Sequence, residues 1–294
     1  MASSVDDRPV RASGTFTFGS RVDDPLTVHR LGFGAMRIVG PGIWGEPADR
    51  STAVAVLRRA VELGVDFIDT ADSYGPFISE DLIREALHPY DGLLITTKGG
   101  LTRQGPDMWE PVGRPEYLRQ CVHMSLRRLG VERIDLWQLH RIDPHVPADD
   151  QFGVIKEMQD EGLIRHVGLS EVSVADLEHA QQTLEIVSVQ NMYHAGHRAS
   201  EELLQHCTAH DIGFIPWFPL GNRALLEPGG AVALVAERLG CTPAQVALAW
   251  LLQHSPVMLP IPGTGSVAHA EENCEAARVV LDEQALADLA AVAG

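Results

Sequence analysis

The sequence predicts a (β/α)8 barrel (TIM barrel) with an N-terminal β-hairpin, and two patterns support this fold class. Strand-like and helix-like runs alternate over nearly all of the 294 residues. Eight runs have strand character, and most of them lead into a helical run, as such a barrel requires. A doubly wound open sheet shows the same alternation, but it usually has fewer strands and a glycine-rich turn after the first one.

Residues 1–13 are expected to be flexible, and residues 14–294 are expected to form a single domain. Between Gly14 and Met36, the runs T-F-T-F and L-T-V-H-R-L-G-F flank a polar turn, which predicts a β-hairpin that leads into the first barrel strand. The predicted barrel strands are Leu31–Ile38, a run that starts at Val65, Leu93–Lys98, Ile134–His140, Arg165–Ser170, Ile186–Gln190, Gly213–Trp217 and Met258–Pro262.

Helical runs are marked by apolar residues at helical spacing and by start and stop residues. In Pro115–Leu129, for example, proline stands at the predicted first position and Gly130 follows the last one. The other predicted helices are Asp49–Leu63, Ser79–Leu87, Phe152–Glu161, Val174–Thr183, Ser200–His210, Ala231–Leu239, Pro243–His254, Ser266–Ala277 and Asp282–Ala291.

The charge balance limits the kinds of partner. The chain has 23 Lys and Arg against 40 Asp and Glu, a formal net charge of −17, which argues against nucleic acid or an anionic membrane as a partner. The four cysteines are widely spaced, so neither a disulfide framework nor a zinc site is predicted. Because the sequence shows neither a signal peptide nor a membrane-spanning run, we expect a cytoplasmic protein. Nothing in the sequence indicates an oligomeric state.

Several predicted strands end in a polar residue although their inward faces are otherwise apolar. With a two-residue period, Asp69 closes one such face, and Tyr74 follows in a loop. The inward faces of the next four strands end in Lys98, His140, Ser170 and Gln190. Because active sites of barrels lie at the carboxyl ends of the strands, an acid, a phenol, an amine and an imidazole are expected to meet there.

These residues belong to motifs that resemble the aldo-keto reductase family. D-F-I-D-T-A-D-S-Y-G, I-T-T-K, L-W-Q-L-H, G-L-I-R-H-V-G-L-S, V-S-V-Q-N-M-Y-H and I-P-G-T-G-S-V-A-H-A-E-E-N occur in the order found in that family and span roughly residues 14 to 290. The resemblance implies a barrel whose N-terminal hairpin closes the bottom and a nicotinamide cofactor that lies across the rim. It also implies the reduction of an aldehyde or ketone to an alcohol.

The resemblance implies a catalytic tetrad of Asp69, Tyr74, Lys98 and His140. Tyr74 would be the general acid, and the Lys98 ammonium is expected to lower the pKa of its phenol. Asp69 would hold Lys98 in its charged form, and His140 would donate a hydrogen bond to the substrate oxygen. The cofactor would supply the hydride.

Cofactor contacts are implied in the same way. Trp217 would stack on the nicotinamide in place of the more common tyrosine, and Ser170 and Gln190 would bind the carboxamide. Glu171 stands where many members have asparagine, so a carboxamide contact could be lost or changed there, or Glu171 could be solvated. The predicted contacts are Gly34, Ala35, Met36, Asp69, Ser170, Gln190, Trp217, Phe218, Pro219, Leu220, Gly221, Gly263, Thr264, Gly265, Ser266, His269, Glu272 and Asn273.

The cofactor and the substrate are predicted less specifically. The small residues of 263–266 would present backbone N–H groups and a helix N-terminus to phosphate. Ser266 can hold a 2′-phosphate, which favours NADPH, but basic side chains are missing from this segment, so NADH stays an alternative. The loops Arg37–Pro47 and Gly99–Pro111 and the segment after Tyr193 are candidates for shaping a pocket for a small carbonyl compound. The substrate contacts named from the sequence are Trp44, Trp109 and His140.

Two other functions agree with parts of the sequence. Some relatives of the family are redox-sensing partners of channels, so a cofactor-binding regulatory subunit without significant turnover is an alternative to an independent enzyme. His140, Asp143 and His145 lie close together in H-R-I-D-P-H, as in a metal-dependent barrel hydrolase. The first and last strands end without a metal ligand, however, and no metal site is predicted.

Overall fold

A computed structural model gives the fold and describes residues 7–221 and 223–292. The strands are β1 (Thr15–Phe18), β2 (Leu26–His29), β3 (Phe33–Gly34), β4 (Phe67–Asp69), β5 (Leu94–Gly99), β6 (Leu101–Gly105), β7 (Met108–Pro111), β8 (Ile134–Leu139), β9 (Ile164–Ser170), β10 (Ile186–Gln190) and β11 (Gly213–Phe214). The helices are α1 (Arg50–Glu62), α2 (Ile78–Leu87), α3 (Pro115–Leu129), α4 (Ala148–Asp160), α5 (Val174–Ala180), α6 (Glu201–His210), α7 (Ala231–Leu239), α8 (Pro243–His254), α9 (Val267–Glu275) and α10 (Glu283–Ala290).

The centre of the fold is a parallel sheet of seven strands in the order β11-β10-β9-β8-β5-β4-β3. Residues 257–262 fill the eighth position, bonding to β11 on one side and to the chain around β3 on the other. On the β3 side, Gly32 donates to the Pro260 carbonyl (3.0 Å) and Gly34 to the Pro262 carbonyl (3.3 Å). Because proline has no N–H to donate, the predicted strand Met258–Pro262 is an irregular ribbon. The ring is still closed, which confirms the barrel prediction.

The N-terminal hairpin closes the bottom of the barrel, as predicted. β1 and β2 pair antiparallel, and the ring of Phe18 lies 5.7 Å from that of Phe67 inside the barrel. A Cβ at Gly213 would come within 2.5 Å of the Phe18 ring, so glycine is needed there for the hairpin to seat. The aromatic plug thus packs directly under the strands that carry the site.

Three segments differ from their predicted structure. The predicted strand Leu31–Ile38 is shortened to β3 and continues as a 3-10 helix over Ala35–Ile38. The predicted loop Gly99–Pro111 contains the antiparallel hairpin β6–β7, turned by a Gly-Pro-Asp sequence. Of the segment expected to be flexible, Pro9–Ser13 forms a 3-10 helix, because Val10 is buried and donates its N–H to the Leu63 carbonyl. Residues 1–6 lie outside the described part of the chain.

The predicted helices are all found. Three have the predicted ends, namely Pro115–Leu129, Ala231–Leu239 and Pro243–His254, and the ends of the others are shifted. The predicted helix Phe152–Glu161 begins earlier, at Ala148. The predicted helix Ser266–Ala277 ends at Glu275 and continues as a 3-10 turn. Within residues 7–221 and 223–292, no helix combines the length and the apolar character needed to cross a membrane.

Candidate active site

A fully buried ion pair forms the base of the candidate site. Asp69 ends β4 and Lys98 lies near the end of β5, so the two parallel strands bring their side chains together. Lys98 Nζ lies 2.7 Å from Asp69 Oδ2 and also donates to the Thr70 carbonyl at 2.7 Å. Burial acts to lower the pKa of Lys98, but Asp69 and, to a lesser extent, Tyr74 together outweigh this effect, and the pKa of Lys98 is raised. The amine is therefore held as an ammonium.

The second carboxylate oxygen of Asp69 accepts hydrogen bonds from inward-facing polar side chains of the barrel strands. Thr96 Oγ1 donates to Asp69 Oδ1 at 3.0 Å, Gln190 Nε2 at 2.9 Å and Gln138 Nε2 at 3.2 Å. This network of four donors, including Lys98, compensates for the loss of water around the carboxylate. Asp69 is consequently fixed in position by β5, β8 and β10.

Tyr74 and His140 lie above this pair, with their rings packed edge to face. Their ring centroids are 6.0 Å apart with an interplanar angle of 83°, and Lys98 Nζ lies 5.1 Å from the centroid of the Tyr74 ring. His140 follows β8, and its Nδ1 is 3.3 Å from the Ser73 hydroxyl. The four side chains predicted as a tetrad therefore meet at one end of the barrel.

The pKa values of Tyr74 and His140 are determined by burial and by the neighbouring cations. Burial raises the pKa of the Tyr74 phenol above its ordinary value, and the Lys98 ammonium offsets this only in part. The predicted lowering by Lys98 is therefore present, but burial of the ring outweighs it. Burial also lowers the pKa of His140 well below 6.5, and the cations Lys98, Arg141 and Arg103 lower it further. The imidazole is thus neutral.

A cleft of about 690 Å³ opens over these residues. Most of the residues predicted from the sequence line it: Gly34, Met36, Asp69, Tyr74, Trp109, His140, Ser170, Gln190, Trp217, Phe218, Pro219, Leu220, Gly221 and Gly263. Lys98 lies beneath its floor, fully buried. The remaining predicted residues do not line it and are Ala35, Trp44, Thr264, Gly265, Ser266, His269, Glu272 and Asn273.

The residues beyond Gly263 continue from the cleft into the start of α9. Ser266 is the N-cap of this helix, where its side chain accepts from the His269 N–H (3.4 Å), and Thr264 Oγ1 accepts from the Ser266 N–H (3.0 Å). A Cβ at Gly263 would lie 3.7 Å from Cγ of Arg37, so the stem of an arginine side chain from another loop lies beside this segment. Such a loop at a helix N-terminus is suited to an anionic group.

Glu171 has a role that neither predicted alternative described. Its Oε1 accepts from the Trp217 indole N–H at 2.5 Å and from the Met192 N–H at 2.7 Å. Its backbone has φ of 55°, a left-handed conformation in which asparagine is common and glutamate is rare. The carboxylate is thus engaged in holding the indole of Trp217 at the edge of the cleft.

Several residues that line the cleft were not predicted from the sequence. Arg141 lines it beside His140 and donates from Nη1 to Ser170 Oγ at 3.0 Å. Its position directly after a predicted strand-end histidine was the available signal. The others are Arg37, Ile43, Leu101, Pro111, Ile261 and Pro262, of which the first four belong to the loops expected to shape the pocket.

The residues considered for a metal are arranged differently. Asp143 accepts from the backbone N–H groups of Gly113 (2.9 Å) and His145 (2.8 Å), which ties two loops together. The side chain of His145 is 83% exposed. Across the described ranges, no cluster of three or more His, Cys, Asp or Glu is arranged to hold a metal ion.

The sequence of this chain is similar to those of known oxidoreductases. The model of the family described as "Aldo/keto reductase family" matches residues 30–293. An uncharacterized oxidoreductase of Schizosaccharomyces pombe is 54% identical over 98% of this chain and 94% of its own. Pyridoxine 4-dehydrogenase of Escherichia coli is 45% identical over 95% of this chain and 98% of its own.

The fold is also similar to that of solved structures. An aldo-keto reductase of Klebsiella pneumoniae crystallised with NADPH superimposes with a TM-score of 0.78 at 26% identity, covering 94% of this chain and 93% of the other.

Proposed function

The chain belongs to the aldo/keto reductase family of oxidoreductases, and we propose that it reduces the carbonyl group of an aldehyde or ketone with NADPH. One observation carries the proposal. The Tyr74 phenol and the His140 imidazole line the same cleft, directly above the buried Lys98–Asp69 pair. This arrangement can deliver a proton to an oxygen that gains negative charge, which is what carbonyl reduction requires.

Tyr74 is the general acid in the proposed mechanism. The substrate oxygen would lie between the phenol and the His140 imidazole, which is neutral and can donate from one ring nitrogen while orienting the carbonyl. Lys98 remains charged because of Asp69, and its ammonium stabilises the phenolate that is left after proton transfer. A bound nicotinamide cofactor supplies the hydride.

Hydrogen-bond donors at the rim of the cleft are suited to the proposed cofactor, NADPH. The hydroxyl of Ser170 and the amide of Gln190 line the cleft where a carboxamide could be bound. Ser266 provides a hydroxyl at the N-terminus of α9, and the stem of the Arg37 side chain lies beside Gly263, so an arginine is available to a phosphate group bound there. The relative from Klebsiella pneumoniae crystallised with NADPH supports the same choice.

The first test is the oxidation of reduced cofactor by purified protein with a panel of aldehydes and ketones. We expect absorbance of NADPH to fall with at least one class of carbonyl compound, and NADH to be used less efficiently. Because a relative at 45% identity is a pyridoxine 4-dehydrogenase, the panel includes pyridoxal, and we propose aromatic aldehydes of this kind as substrates. Stoichiometric binding of NADPH without turnover over the whole panel would instead support a regulatory subunit.

We expect the rate of reduction to be flat over a broad pH range. The pKa of His140 lies well below 6.5 and that of Tyr74 above 10.0, so neither group changes its protonation between these values. The phenol stays protonated and able to donate, and only above its raised pKa would the rate fall. The pH profile of kcat checks this, and an inflection near pH 6.5 that is absent from a His140→Gln variant would contradict it.

A further inference from the structure

The β6–β7 hairpin carries an arginine to which the proposed mechanism assigns no contact with the substrate. The guanidinium of Arg103, in β6, lies 3.6 Å from the ring centroid of Trp109 in β7. Its Nε donates to the Met108 carbonyl (2.9 Å) and its Nη2 to the Gly105 carbonyl (3.3 Å). The side chain therefore fixes the indole within the hairpin by stacking on one face and by bonding the backbone around it.

The same guanidinium also bonds two other loops. Nη1 donates to the Ile43 carbonyl (2.7 Å) and to the Ser73 carbonyl (3.0 Å), and Nη2 donates to the Gly42 carbonyl (2.9 Å). Gly42 and Ile43 belong to the loop between β3 and α1, and Ser73 directly precedes Tyr74. One side chain thus links the hairpin, the β3–α1 loop and the loop that carries the proposed acid.

Trp109 connects this arrangement to the reacting groups. The indole lines the cleft, and its centroid lies 6.4 Å from the Tyr74 ring and 6.5 Å from the His140 ring. Both contacts are edge-to-face, with interplanar angles of 83° and 66°. The position of the indole therefore determines how much of the cleft is open beside Tyr74 and His140.

We propose that Arg103 is a positioning residue that holds Trp109 as the substrate wall and so selects carbonyl compounds with a flat aromatic group. This inference rests on the proposed function. The forked guanidinium group of Arg103 is essential, because its N–H groups bond to five backbone carbonyls in three loops. A lysine keeps the charge, but its single ammonium cannot reach all of them, and the wall would shift.

The test compares wild type with Arg103→Lys, using benzaldehyde and propanal as substrates. We expect kcat/KM for benzaldehyde to fall roughly 10- to 100-fold in the variant, since displacements of about 1 Å have effects of this size. The loss with propanal should be much smaller, because a small aldehyde does not use the wall. The Kd for NADPH should stay within about twofold, since neither Arg103 nor Trp109 is a proposed cofactor contact.

Two further variants make the test specific. Arg21→Lys is the matched control, because Arg21 lies at the bottom of the barrel in an exposed ion pair with Asp211, and it should behave as wild type. In a Trp109→Ala background, Arg103→Lys should cause little further loss with benzaldehyde, since the two residues act as one unit. If Arg103→Lys does not fold, Trp109→Ala alone must still change the benzaldehyde-to-propanal ratio.

The outcomes separate the two proposals. Equal losses with both aldehydes, or losses that multiply in the double variant, would overturn the positioning role while leaving the proposed function intact. An unchanged Arg103→Lys variant would do the same. A wild type that turns over no carbonyl compound would overturn the proposed function and this inference with it.

Discussion

Replacing Tyr74 with phenylalanine is expected to abolish most turnover while leaving the fold and cofactor binding intact. The substitution removes only the phenolic hydroxyl, which is the proposed proton donor. General acid catalysis contributes about 10²- to 10⁴-fold, so kcat should fall by that factor. The measurement is kcat with a saturating aldehyde, together with the Kd for NADPH, which should change by less than about twofold because the hydroxyl is not a proposed cofactor contact.

The chain offers a matched control for this substitution. Tyr90 is also buried, and its hydroxyl donates to the Leu129 carbonyl at 2.8 Å, far from the cleft. Tyr90→Phe leaves that carbonyl without its donor and should cost about 1 kcal/mol of stability with no loss of kcat. Turnover in Tyr74→Phe that matched turnover in Tyr90→Phe would show that Tyr74 is not the acid.

Replacing Lys98 with methionine should have the largest effect on stability. The variant leaves Asp69 as a buried carboxylate without its cation, and breaking such a pair typically costs about 3–5 kcal/mol. The donors Thr96, Gln138 and Gln190 remain on Asp69 Oδ1, which places the expected loss near the lower end. Chemical denaturation measures the free energy of unfolding, and NADPH oxidation should also be lost.

The double variant Asp69→Asn with Lys98→Met separates stability from catalysis. It removes both charges, so much of the lost stability should return, because no uncompensated charge remains buried. Activity should not return, since no ammonium is left to stabilise the Tyr74 phenolate. A Lys98→Met protein as stable as wild type would contradict the view that this pair is held together by charge.

The parts of the site that the sequence could predict depend on short-range patterns. The two-residue period of a strand was enough to place Asp69, Lys98 and His140 at one rim, because parallel strands in a barrel end together. The period also predicted that Gln190 would face inward, although not that its amide would donate to Asp69. Patterns of this kind give the direction of a side chain but not its partner.

The parts that could not be predicted depend on contacts between distant segments. Glu171 and Trp217 are joined by a hydrogen bond across 46 positions, and no local pattern couples them. The net direction of the pKa shift of Tyr74 could not be predicted, because the effect of Lys98 is outweighed by the burial of the phenol. Arg103 was missed for the same reason, since its acceptors are carbonyls whose positions only the folded loops define.

The irregular eighth position of the barrel has a consequence for how the protein can vary. Along this seam the main chain of one segment rests directly on that of another. A Cβ at Gly34 would lie 2.6 Å from the Ile261 carbonyl oxygen, and one at Gly263 would lie 2.4 Å from the Gly34 carbonyl oxygen. Neither position can accept even a methyl group without forcing the barrel open. Gly263 also begins the proposed phosphate-binding segment. Replacing it should therefore disturb both the closure of the barrel and the binding of the cofactor.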